Sequence, residues 1–255
     1  MIKKSRKWLI SGTLITALAI LGGCKYHYNI DKSKPLMSSS YSEMVNDSIE
    51  TVNKKRIYDS ISSKRDNLFE ANKAFEKYML PFYKADVTRD KEKLIILFDN
   101  GTNRIYTDMD FNDDRNEFYC FRDYIKKINA YLISVNYYEG GEFKLINKSN
   151  GNFMDISGIP RISPNKSKFV IANLDLVSQY TTNGLWVYGI VNNEYVLEYE
   201  EKPENWGTNK IEWINENKIL VYMNTIDENL DYIASGTFYL NYIDKHWVIA
   251  DRKGI

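Results

Sequence analysis

Histidine is almost missing from this chain. His27 and His246 are the only two in 255 residues, and neither has a neighbouring ligand at a productive spacing. That removes the usual zinc arrangements and leaves little imidazole for a Ser-His or Cys-His pair. Cysteine is as scarce, with Cys24 and Cys120 alone, so no disulfide framework is expected. Cys120 sits between Tyr119 and Phe121, the setting of a buried apolar thiol rather than an activated nucleophile. The thirteen glycines form neither a G-x-S-x-G elbow nor a phosphate-binding loop. Net charge is absent too, since 34 basic side chains face 34 acidic ones. A balance this even does not point to nucleic acid as a partner. One acidic run, from Asp108 to Tyr119, opens as D-x-D-x-N. A calcium loop would need glycine where Asp113 stands and glutamate where Tyr119 stands, so a solvated acidic loop is the better reading. No cofactor or metal is expected. A carboxylate pair for glycoside hydrolysis stays open, because spacing along the chain does not fix spatial separation.

What is present begins at the N-terminus. Lys3, Lys4, Arg6 and Lys7 precede an apolar run from Trp8 to Leu21, and no acidic residue occurs before Asp31. A basic start, a short apolar stretch and small residues after it form the signal-peptide pattern. The run is shorter than the roughly 20 apolar residues that a permanent membrane span requires. It closes as Leu21-Gly22-Gly23-Cys24, which resembles the bacterial lipobox. The resemblance implies cleavage after Gly23 and a diacylglyceryl group on the Cys24 thiol. Two or more acyl chains give stable anchoring, at about 0.8 kcal/mol per buried methylene. Residues 1–23 carry four basic side chains and no acidic one, so their removal leaves a formal charge of −4. Lys25 after the cysteine favours the outer membrane if the cell is Gram-negative.

Three zones follow. Residues 24–40 are polar and aperiodic and read as a flexible tether. Residues 41–84 read as a helical segment: apolar side chains recur at helical spacing from Met44 to Leu80, a break is expected near Ser62-Ser63, and Pro81 stops the run. Residues 85–255 read as a β-rich domain of short strands separated by turn signals. Expected strands include Lys93 to Phe98, Tyr131 to Tyr138, Phe143 to Asn147, Phe169 to Ala172, Gly184 to Val191 and Lys218 to Met223. Gly140-Gly141 marks a hairpin reversal.

A weak repeat runs through this domain. Pro160-Arg161-Ile162-Ser163-Pro164-Asn165-Lys166-Ser167-Lys168-Phe169-Val170-Ile171 returns as the shorter Ile211-Glu212-Trp213-Ile214-Asn215-Glu216-Asn217-Lys218-Ile219-Leu220-Val221. Val87 to Leu97 reads as a degenerate earlier copy. Each copy is a short strand, a polar turn and an apolar strand, about 50 residues apart, a period of propeller arrays. The Ser163–Ile171 stretch resembles the turn and strand of TolB-like β-propeller blades. That resemblance implies a mainly β fold, a small or incomplete propeller-like domain of antiparallel blades.

Aromatic side chains are abundant. Trp186, Trp206, Trp213 and Trp247, with Tyr180, Tyr188, Tyr195 and Tyr199, read chiefly as core and cross-strand pairs. Trp206, beside Pro203, Asn205 and Gly207, is expected to be the exposed contact. The expectation is an envelope lipoprotein that binds another envelope protein rather than catalysing a reaction, in a narrower form an immunity or inhibitor protein. The alternatives are a glycan-active hydrolase and a structural envelope lipoprotein without a ligand.

Overall fold

The computed structural model describes residues 39–65, 67–110 and 115–253, with the side chains of residues 39–49 left aside. Cys24, Gly23 and His27, and with them the signal-peptide and lipobox expectations, lie outside the described residues. Two compact units divide the chain at Glu50/Thr51, and everything below except residues 39–50 of the first helix belongs to the second.

Helix α1 spans Ser39–Ser62 and helix α2 spans Leu68–Met79, with the break where Ser62-Ser63 suggested it. Asn67 starts α2: its side-chain oxygen accepts from the Glu70 amide at 2.9 Å, a cap worth about 1 kcal/mol. Glu70 in the first turn and Lys77 in the last complement the helix dipole. A single 3₁₀ turn, Leu80–Phe82, ends it at Pro81.

The rest is mainly β: four antiparallel sheets, each an up-and-down meander in chain order. The first holds β1 (Val87–Asp90), β2 (Lys93–Leu97) and β3 (Asn103–Thr107). The second holds β4 (Glu117–Ile125), β5 (Ala130–Tyr137), β6 (Gly141–Asn147) and β7 (Phe153–Ile156). The third holds β8 (Arg161–Ile162), β9 (Lys168–Asn173), β10 (Gly184–Val191) and β11 (Glu194–Glu201). The fourth holds β12 (Gly207–Asn215), β13 (Lys218–Ile226), β14 (Tyr232–Ile243) and β15 (His246–Lys253).

Each consecutive pair of sheets shares a core. Tyr131 and Ile133 of β5 face the first sheet and α2, where Phe75, Met79, Leu94 and Ile96 lie. Ala130 and Leu132, on the opposite face of β5, pack on Phe169, Ile171 and Trp186 of the third sheet. Val170, Leu185 and Val187 then face the fourth sheet at Ile219, Val221, Phe238 and Leu240. The middle sheets are therefore covered on both faces, and β5, β9 and β10 at their centres carry short apolar runs. The end sheets are covered on one face, and β2 and β13 alternate buried with half-buried or exposed. Fully burying such side chains contributes about 1.5–3 kcal/mol each.

The first strand of a sheet leaves one edge open, and side chains close it. Glu76 of α2 accepts the Phe121 amide of β4 at 2.6 Å, while the Arg89 guanidinium of β1 donates to the Tyr119 carbonyl on the same edge. Arg89 also pairs with Glu76 at 2.8 Å and with Asp108 at 3.1 Å. Together they supply the acceptor and donor that a neighbouring strand would supply. At the last junction Arg161 of β8 donates to the Ile211 and Asn209 carbonyls of β12 at 3.1 and 2.9 Å. The Trp213 indole donates back to the Arg161 carbonyl at 2.9 Å, so the two repeat copies touch at corresponding strands.

Three expectations are corrected. Trp206 is 3 % exposed, not an outward contact. The Asn183 side-chain amide donates to the carbonyls of Pro203 and Trp206, which ties the loop to the third sheet and turns the indole inward, edge-on to Phe238. Tyr180, read with the core aromatics, is 59 % exposed. Val87 to Leu97 is out of phase with the repeat. The β2–β3 turn, not the β1–β2 turn, lies beside the second sheet's first turn: Asp99 bonds to Lys148, and Lys148 bonds to Asn129. Thus β1 corresponds to a second strand, not a first.

Candidate functional site

Up-and-down sheets have two ends, and here the ends differ. At one, the connections are tight. Asn129, Lys166, Asn192, Asn193, Asp244 and Lys245 all take positive φ between 49° and 65°, the left-handed conformation that short asparagine-rich turns use. Asn165 shapes the repeat turn by accepting from the Ser167 amide at 3.1 Å and from the hydroxyls of Ser163 and Ser167 at 2.9 Å. The turns at this end (98–102, 126–129, 148–152, 163–167, 192–193, 215–217 and 244–245) carry five lysines and three acidic residues.

At the other end the connections are the 91–92 turn and the partly described 108–116 segment of the first sheet, and 138–140, 157–160, 174–183, 202–206 and 227–231 of the other three. Loops of the second, third and fourth sheets brace one another. Tyr180 lies against Gly140, which has φ of +81°, and a Cβ there would meet Tyr180 Cβ at 3.1 Å. The Tyr180 phenol is hydrogen-bonded to Glu139, which raises it above the ordinary phenol range. The Tyr232 hydroxyl accepts the amides of Leu176 and Val177 at 3.2 and 3.4 Å. Within the longest loop, Asp175 accepts the amides of Gln179 and Thr181 at 2.9 and 2.8 Å. Burial pushes the Asp175 carboxyl up, but these bonds outweigh it and hold the group below the usual carboxylate range. In the last loop Asp227 accepts the amides of Asn229 and Asp231.

This braced end presents apolar and aromatic side chains to solvent. Tyr138, Ile159, Val177, Tyr180, Leu230 and Tyr232 are each 40–67 % exposed. A groove of about 560 Å³ opens on the fourth sheet, lined by Tyr222, Gly236, Thr237, Lys210 and Lys253 among others, and by none of these six.

Other candidate residues are placed elsewhere. His246 is exposed at the tight-turn end. Cys120 is a buried free thiol, and burial pushes it up to about 12, so it is protonated and inert in the fold. Asp108, the first residue of the acidic run, spends its carboxylate on Arg89 and on the Tyr119 amide; residues 111–114 of that run lie outside the described residues. Glu76 is the one buried carboxylate among the described residues, and it is committed to Arg89 and the Phe121 amide. Trp186 and Trp247 are buried with Trp206, and Trp213, Tyr188, Tyr195 and Tyr199 pack partly buried against the same cores. No group of three His, Cys, Asp or Glu side chains among the described residues is arranged to hold a metal ion. No helix among them is long and apolar enough to cross a membrane.

Reasoning from sequence missed Tyr138 and Tyr232. The available signal was loop length: ten residues join β9 to β10 and nine join β3 to β4, where the other strand connections take two to five. No protein-family model matches the chain, and no curated protein matches its sequence.

Proposed function

We propose that this chain is a lipid-anchored envelope protein that binds another protein through the long-loop end of its sheets. The observation that carries the reading is the group of six exposed apolar and aromatic side chains on mutually braced loops, all at one end. Tyrosines held rigidly on a scaffold lose little entropy on binding, and such residues dominate binding energies. Exposed apolar side chains gathered at one end of a fold in this way mark an interaction surface. The anchor rests on Leu21-Gly22-Gly23-Cys24 and the basic, apolar stretch before it. An immunity or inhibitor protein that neutralises an enzyme in the same compartment is the narrower form.

The fold reading that goes with it is an incomplete, propeller-like array. Four meanders in chain order and the mutual contact of the two repeat copies support it. In such arrays, loops at the ends of the blades carry the ligands.

The test is an affinity pull-down from envelope extract with the full-length protein in detergent, wild type against Tyr138→Ser/Tyr180→Ser. A partner held by wild type and lost from the variant is expected. A partner that survives the double substitution removes this face from the account. The anchor has its own measurement: a fatty-acid probe should label wild type and not Cys24→Ala.

A further inference from the structure

We propose that the partner of the long-loop face is a protein whose contact surface is basic, rich in lysine and arginine. The inference rests on the binding reading above and adds the partner's chemistry to it.

Residues 138–140, 157–160, 174–183, 202–206 and 227–233 together carry six acidic side chains and one lysine. The lysine, Lys202, is already paired with Glu200 at 2.5 Å. Asp175 and Asp227 spend their oxygens on amides of their own loops. Glu139 accepts the Tyr180 phenol, and it, Glu204, Glu228 and Asp231 are all exposed, with none of them ion-paired among the described residues. The carboxylates alternate along the loops with Tyr138, Tyr180, Leu230 and Tyr232. An apolar centre with a polar rim is the anatomy of a protein interface, and the sign of the rim selects the partner.

The tight-turn end sharpens the argument through its charge, which has the opposite bias, although Leu97, Phe153, Val191, Ile214 and Ile243 beside its turns are also 42–53 % exposed. A basic protein is drawn to the long-loop end and repelled from the other. Nucleic acid and anionic lipid are repelled from the long-loop end by the same charges. The rim also predicts how binding responds to salt. Exposed charges act over about 10 Å at 0.1 M salt and over far less at higher ionic strength.

The test uses the full-length protein in membranes of the cell that makes it, with photoreactive benzoylphenylalanine at position 180 or, as control, at position 245. Crosslinking is run at 50 and 500 mM NaCl, and position 180 is repeated in Glu228→Lys/Asp231→Lys and in Glu228→Gln/Asp231→Asn. Position 180 is expected to capture a protein that position 245 does not, with lysine and arginine in excess around its crosslinked residue. The yield is expected to fall about five-fold or more at high salt and on charge reversal, and about two-fold in the neutral pair. A specific crosslink at 180 that ignores both salt and charge reversal overturns the basic partner and leaves the binding face standing. A crosslink at 180 no stronger than at 245 overturns the face and the partner together. Unchanged thermal unfolding of the charge variants separates lost contact from lost fold.

Discussion

Arg89 and Arg161 perform the same task at opposite ends of the stack, in different surroundings. Each reaches from one sheet to the open edge of the next sheet's first strand and donates to its carbonyls. Arg89 does so deep beside α2, with its guanidinium pinned between Glu76 and Asp108. Arg161 does so at the surface, with no carboxylate among the described residues hydrogen-bonded to it and only the charge of Glu212 nearby. The difference follows from what lies next to each edge. At the first junction a helix covers the edge, and a helix has no free backbone groups along its flank. Glu76 must therefore supply the acceptor for the Phe121 amide, and a buried carboxylate in turn requires a cation. At the last junction solvent supplies what Arg161 does not.

The largest effect should come from breaking the buried pair on one side. Arg89→Met leaves Glu76 buried with only the Phe121 amide as partner, and removing one member of such a pair costs about 3–5 kcal/mol. Urea unfolding should show that loss, and Glu76→Met/Arg89→Met should recover part of it. A loss below about 1 kcal/mol for Arg89→Met would place the pair in water, as for surface ion pairs.

The third and fourth sheets offer an intermediate case. Lys168 of β9 meets Glu198 at 2.6 Å while its ammonium lies 4.2 Å from the Tyr242 ring centroid. The Trp247 indole donates to the same carboxylate at 2.9 Å. In Lys168→Met the carboxylate keeps the indole and a partial path to water, so the expected cost is about 2 kcal/mol. Arg161→Met should cost less again, about 1 kcal/mol, the net value of ordinary hydrogen bonds with solvent at hand. If Arg161→Met equals Arg89→Met in urea unfolding, the contrast between the two edges is wrong.

Much of the fold could be read from local pattern. Strands β5, β9 and β10 are covered on both faces, so Ala130–Ile133, Phe169–Ile171 and Leu185–Val187 appear in the chain as unbroken apolar runs. The break between the helices shows itself through serines and charge. By contrast β4 hides, because Arg122 is an extra residue in its pairing with β5 and disrupts the alternation. Its guanidinium turns to the Tyr58 ring at 3.8 Å, a contact set by helix docking. Strands β3 and β7 each bury one residue, Tyr106 and Ile156, too few to make a pattern. The proposed binding face was legible only as loop length. Which tyrosines stay in solvent depends on loops from three sheets meeting at Gly140, Tyr180 and Tyr232. Trp206 failed for the same reason: Asn183, more than twenty residues earlier, turns it inward.

The smallest expected effect concerns how firmly the long-loop end is held. Asp175 is the staple of the 174–183 loop, and its folded-state carboxyl is depressed by the amides of Thr181 and Gln179. A depressed carboxyl contributes stability that is fully present above its unfolded value and is lost as pH falls through the folded one. The amide protons of Gln179 and Thr181 should therefore titrate together in NMR spectra, with a midpoint below the roughly 3.9 of an unperturbed aspartate. In Asp175→Asn the titration should vanish while global unfolding moves by no more than about 0.5 kcal/mol, the usual range for surface substitutions. A midpoint at or above the ordinary value would mean that the loop is not stapled. Tyr180 would then lose the rigid seat that separates this end from the tight-turn end.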